Sequence, residues 1–348
     1  MNGIPTDLSG SAFWLPVIFM ALMGISMLAY VILDGYDLGV GILLRSANDE
    51  QKDVMVASIG PFWDANETWL VLGVGLLLVA FPLAHGAILT ALYLPVALML
   101  AGLILRGVAF DFRVKARDEH KARWNTIFWA GSLLASFSQG TMLGQLIVGF
   151  GKSTAEVLFS LFIGLCLAAG YALLGAGWLI MKTEGDLQRR AVRWARHSLW
   201  LTAGGVAAVS VVTPFVSRGI FEKWFALPQL FALAPIPLMT GALFILAFVF
   251  LRRLEADTAN DNARGRDRWA WAPFACTVGI FVLAFNGLAY SLFPYLVVDR
   301  ITIWQAASAP ESLIIILIGA VVVLPVIIGY TVFAYRVFWG KTRELHYG

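Results

Sequence analysis

The feature that limits this chain most is the recurrence, from end to end, of apolar runs of about 20 residues or more, the length a helix needs to span a hydrocarbon core of about 30 Å. Nine such runs can be read between polar breaks, near residues 12–44, 54–80, 83–110, 124–150, 155–181, 197–217, 227–251, 270–293 and 312–338. The first is long enough to tilt or to protrude from a membrane. Only 14% of the residues are charged and 59% are hydrophobic, whereas a soluble domain carries roughly 25% charged residues. A water-soluble fold is therefore excluded. The expected class is all-α, a polytopic membrane bundle of about nine transmembrane helices.

Basic residues test this map. The segments 45–53, 111–123, 182–196, 252–268 and 336–343, which alternate along the chain, hold 20 of the 25 Lys and Arg residues. The opposite side holds only Lys152, Arg218, Lys223 and Arg300, and Arg106 lies inside the third run. By the positive-inside rule the N-terminus is outside and the C-terminus cytoplasmic. The formal charge of +3 thus reflects membrane orientation, and a nucleic-acid partner is not expected. Residues Met1 to Gly10 carry no Lys or Arg, so they lack the basic region of a secretory signal peptide, and the first run is expected to stay in the mature protein.

Two basic segments close on the same pair, Arg123-Trp124 and Arg268-Trp269. This suggests two four-helix units, 1–151 and 152–293, followed by a ninth helix and a cytoplasmic tail over 294–348. The pattern Gly35-x-x-x-Gly39 with Gly41 offers a smooth strip for close helix approach. Cys166 and Cys276 lie inside separate runs with no metal-type spacing, so packing is their expected role. No histidine lies mid-run: His120 is in a loop, His346 in the tail, and His85 and His197 fall at run ends. The chain is not expected to hold haem through histidine.

Ionisable groups inside a membrane cost about 2.5 to 3.5 kcal/mol each on the milder insertion scale, so a cluster of them calls for an explanation. Asp34, Asp37, Asp64, Glu67 and Arg106 fall within the first three runs, with Asp111 at the inner edge of the third. The later runs carry no charge away from their ends. Asp34 precedes Arg45 by 11 residues and Asp64 follows Asp53 by 11, which predicts similar depth on adjacent antiparallel helices, roughly 16 Å from the shared loop by helical rise. Arg106 is the one buried cation expected. Several acids against one base cannot all be paired, so burial and mutual repulsion favour a carboxyl that takes up and passes on protons. The plainer reading is a buried salt bridge from Arg106 to one or two acids, with the others bonded to backbone or Asn66.

Three segments, Asp34-Gly-Tyr-Asp-Leu-Gly-Val-Gly41, Pro61-Phe-Trp-Asp-Ala-Asn-Glu-Thr-Trp69 and Arg106-Gly-Val-Ala-Phe-Asp-Phe-Arg113, together resemble subunit II of the cytochrome bd-type quinol oxidases in order, spacing and placement. The version Trp63-Asp-Ala-Asn-Glu-Thr-Trp69 looks more like the cyanide-insensitive branch, with Glu67 in place of an amide. The resemblance implies a heterodimer in the bacterial cytoplasmic membrane. In it, subunit I carries two b-type haems and one d-type haem, oxidises quinol from the quinone pool and reduces dioxygen to water, while subunit II holds no haem. It leaves room for a small single-helix subunit, membrane lipids and a structural quinone or lipid. It also implies that Asp34, Asp37, Asp64 and Glu67 line a cytoplasmic proton route, that Arg106 and Asp111 orient its entrance, and that Trp63 and Trp69 pack at the subunit boundary. The rival reading is a proton-coupled secondary transporter, which would place acids in both halves of the chain.

Overall fold

The computed structural model describes residues 10–259 and 263–342. Residues 1–9, 260–262 and 343–348, with His346, lie outside the described residues. In chain order the helices are α1 (Ser11–Leu43), α2 (Asp49–Ile59), α3 (Trp63–Ala80), α4 (Pro82–Ala91), α5 (Tyr93–Lys115), α6 (Asp118–Ile147), α7 (Thr154–Lys182) and α8 (Gly185–Val216). They continue with α9 (Arg218–Phe225), α10 (Gln229–Leu233), α11 (Pro235–Ala259), α12 (Ala263–Trp269), α13 (Ala272–Leu292), α14 (Ile303–Ala306) and α15 (Pro310–Val337). Among the described residues the regular structure is helical but for a small antiparallel ribbon, β1 (Tyr295–Val297) on β2 (Ile301–Thr302).

Each apolar run meets a long helix, with shifts where polar residues pack. The second run is two helices, α2 and α3, bent by 51° where Pro61 supplies no backbone N–H to the ladder. The third run breaks at Leu92, so its long helix is α5, which starts ten residues later than expected and takes in Asp111. Pro95 is tolerated there because it lies in the first turn. The basic segment 182–196 is largely the start of α8, since Leu187, Ala191, Val192, Ala195 and Leu199 give it a buried apolar face at helical spacing. By length and hydropathy, seven described helices can cross a membrane, or eight if the bent pair is one span. This criterion does not reach nine, because α6 carries Asn125, Ser132, Ser136, Ser138 and Gln139 along its length.

Helix α1 sits at the centre, against α3, α6 and α7, while α5 packs on α6 and α8 on α7. Lipid tails are as apolar as leucine, so helices associate here through close packing and polar contacts. The glycine strip supplies the first. A Cβ on Gly39 would collide with the Tyr171 carbonyl of α7, and one on Gly41 with the Ser132 hydroxyl of α6. Gly175 of α7 faces the Gly39 backbone in return. One hydrophobic cluster draws on residues of α1, α3, α5 and α6 together with α7, α8, α11 and α13.

Candidate functional site: buried carboxylates around Arg106

Helix α5 is pressed on α6 through Gly102 and Gly131. A Cβ on Gly131 would lie 2.8 Å from the Arg106 backbone nitrogen. From that backbone the Arg106 side chain reaches across to α1 and α3. Its Nη1 donates to Asp34 Oδ1 at 2.6 Å and its Nη2 to Glu67 Oε2 at 2.9 Å. The Arg106 and Asp34 side chains are 2% and 0% exposed, while Glu67 is 29% exposed, so the cluster is sealed on one side and open at Glu67. The Trp63 ring lies 5.8 Å from the guanidinium and packs on Phe110.

Asp37, three residues after Asp34, is buried on the same helix. Its Oδ2 accepts from Asn66 Nδ2 at 2.8 Å. Asn66 is itself tied to Tyr36 and to Tyr335 of α15, whose hydroxyls lie 2.6 Å apart. One turn before Asp34, the Tyr30 hydroxyl accepts from Gln139 of α6 at 2.7 Å, and Tyr171 of α7 donates to the same amide at 2.7 Å. Asp34 Oδ2, Asp37 Oδ1 and Arg106 Nε are buried with no hydrogen-bond partner among the described residues. A buried unsatisfied polar atom costs about 1–3 kcal/mol. Packing alone gives no reason to keep three of them together.

The expected residues divide. The fold joins Asp34, Asp37, Glu67 and Arg106 into one cluster. Asp64, in the first turn of α3, is exposed, as is Asp111 on α5. Residue count placed Asp34 and Asp64 at similar depth, and the contact that forms is Asp34–Arg106–Glu67, while α3 departs from the line of α2 by 51° at the break around Pro61. Trp69 is 5% exposed and packs within this chain, whereas Trp63 is half-buried. Arg106 is also joined by other buried cations. Arg113, 4% exposed, donates to Asp53 Oδ1 at 2.7 Å and to Asn125 Oδ1 at 2.5 Å. Lys182, 6% exposed, donates to the Phe338 carbonyl at 2.8 Å. Sequence reasoning passed over Tyr30, Tyr36, Gln139, Tyr171 and Tyr335, whose signal is a polar tip inside an apolar run.

His85 is half-buried, and His120 and His197 are exposed, so they do not form a buried pair of facing axial ligands. Among the described residues no group of three or more His, Cys, Asp or Glu side chains could hold a metal ion.

The model of the family described as cytochrome bd terminal oxidase subunit II matches residues 15–338. The chain belongs to this family. It is therefore a multi-pass membrane subunit of a bd-type terminal oxidase, an oxidoreductase, and membership implies a subunit I partner. The chain is 28% identical to the cytochrome bd ubiquinol oxidase subunit 2 of Bacillus subtilis, over 92% of this chain and 95% of that one. It is 26% identical to the cytochrome bd-I ubiquinol oxidase subunit 2 of Escherichia coli K12, over 94% and 95%. In fold it resembles a chain of the bd oxidase from Geobacillus thermodenitrificans, with a TM-score of 0.73, 18% identity, and coverage of 94% of this chain and 99% of that one.

Proposed function

We propose that this subunit holds no haem, supports a haem-binding subunit I, and supplies that subunit with protons for the reduction of dioxygen to water. The observation that carries the reading is the charge balance of the cluster: of three neighbouring carboxyl groups, the Arg106 guanidinium pairs with Asp34 and Glu67, while buried Asp37 has only the neutral amide of Asn66. One cation cannot neutralise three carboxylates, and a proton is the mobile charge that can offset the excess. Glu67 is the exposed edge of this group, and Asp64 stands one helical turn before it on α3. The proposed route enters past Asp64 and Asp111, passes Glu67, and reaches Asp34 and Asp37, with Arg106 holding the acids in place. Entry is from the face that carries the basic segments, which the positive-inside rule makes cytoplasmic, with the N-terminus outside.

In this reading the two b-type haems, the d-type haem and quinol oxidation belong to subunit I. Trp63, half-exposed beside the cluster, packs at the boundary with that subunit. Trp69 supports the boundary from inside this chain.

Glu67→Gln and Asp64→Asn in the purified complex test the route. Turnover is expected to fall about tenfold or more and its pH profile to change, since general acid–base groups contribute roughly 100-fold or more. Unchanged turnover and pH profile at full haem content would remove the proton role. A second reading has its own support, because the Asp34–Arg106 pair is fully buried and such pairs can serve assembly alone. In that case the same substitutions would lower haem content and leave the turnover per haem untouched.

A further inference from the structure

A second charged site shares no residue with the acid cluster. Between the start of α2, the first turns of α8 and the end of α11 is an open cavity of about 580 Å³ lined by Asn48, Gln51, Asp186, Arg189, Arg190, Val192, Arg193 and Glu255. Its two acids are already engaged. Asp186 is paired with Arg189, and Glu255 accepts from Arg196 at 3.0 Å. Arg190 is fixed by a 2.6 Å bond from Nη1 to Gln51 Oε1, and that amide also belongs to the capping box of α2. The exposed Arg193 guanidinium makes no hydrogen bond or ion pair with the described residues. Each guanidinium carries five N–H donors, so most donors around this cavity are free for an anion.

Position along α8 identifies the anion's carrier. Counting back from the end of α8 at Val216, a core of about 30 Å takes about 20 residues and ends near His197. Beyond that boundary Trp200 and Leu201 are 62% and 65% exposed on the apolar part of the helix. Arg193 is thus about one turn, roughly 6 Å, outside the hydrocarbon, at headgroup level. Arg189 and Arg190 are a turn further and can reach back along their apolar stems.

We propose that this cavity binds the phosphate headgroup of an anionic phospholipid from the leaflet facing the basic segments. Arg193 is the main ligand, Arg189 and Arg190 are flanking donors, and the acyl chains lie along the exposed face at Trp200 and Leu201. The assignment is independent of the proton route.

The test uses the purified oxidase complex, stripped of lipid in neutral detergent and titrated with short-chain phosphatidylglycerol. Phosphatidylcholine and inorganic phosphate are parallel probes, and native mass spectrometry is the readout. Phosphatidylglycerol is expected to bind in preference to phosphatidylcholine. R193Q should weaken one bound phosphatidylglycerol about tenfold, as expected for a hydrogen bond to a charged group. R190Q/R193Q should weaken it further, and R193K should retain most of the binding. The proposal is overturned if R193Q and R190Q/R193Q bind phosphatidylglycerol like the parent at full haem content. Equal binding of phosphatidylcholine by the unsubstituted complex also overturns it. So does displacement of phosphatidylglycerol by equimolar inorganic phosphate, which would make the cavity a site for soluble phosphate.

Discussion

Replacing Arg106 with Leu removes the guanidinium that lies 2.6 Å from Asp34 and 2.9 Å from Glu67. Asp34 has no exposure through which to recruit solvent. Breaking a buried pair from one side costs about 3–5 kcal/mol, because the other charge stays uncompensated. Asp34→Asn keeps an oxygen that can accept from Nη1 and leaves Glu67 as counter-ion. Thermal melts of the detergent-solubilised complex are therefore expected to rank R106L well below D34N, with D34N nearer the parent. The reverse order would mean that Arg106 does not hold the acids together. Sequence alone named all four members of this cluster, because charge inside an apolar run stands out. It could not rank them. Asp34 and Asp64 look equivalent by residue count, yet one is fully buried and the other exposed.

At the level of elements, the crossing of α1 and α7 rests on Gly39 and Gly175, whose backbones meet directly. Gly39→Ala places a methyl group on the Tyr171 carbonyl and must push the helices apart. Overpacking of this kind costs about 1–3 kcal/mol, and here it also moves Tyr171 away from Gln139. Gly204→Ala is the matched control, because nothing lies within 4 Å of its added Cβ and alanine favours a helix by up to about 1 kcal/mol. Expression and melting of the assembled complex should drop for G39A and hold or rise for G204A. Equal behaviour of the two would place the helix contact elsewhere. The glycine strip was readable from spacing, but its partners were not. The same stretch of α1 meets α6 at Gly41 and α7 at Gly39, and a single helix pattern does not say how many neighbours will use it.

For the whole molecule, the number of crossings turns on α6, the long helix that length and hydropathy leave out. Helix α6 is long but polar, and it carries the buried hydroxyls of Ser132, Ser136 and Ser138. If it crosses, its ends face opposite sides of the membrane. After replacement of Cys166 and Cys276, E119C and K152C, both at exposed positions, should react with an impermeant thiol reagent from opposite faces of oriented vesicles. E119C is expected on the side of the basic segments. Labelling of both from one face would reduce the count to the eight crossings that length and hydropathy allow.

The sequence by itself determined the solvent, the class of fold, the family and the residue types of the buried cluster. These follow from quantities that add along a chain: run length, charge density, and the placement of Lys and Arg relative to apolar runs. The tertiary structure decided which charges meet. Asp37 is held by Asn66, which Tyr335 reaches from 269 residues away, and Tyr30 is bonded by Gln139 across 109 residues. Counting along a straight helix brought Asp34 level with Asp64. Across the 51° bend between α2 and α3, Arg106 reaches from α5 to join Asp34 of α1 with Glu67 of α3. A bend and a long side chain act in three dimensions, and a one-dimensional count cannot register either.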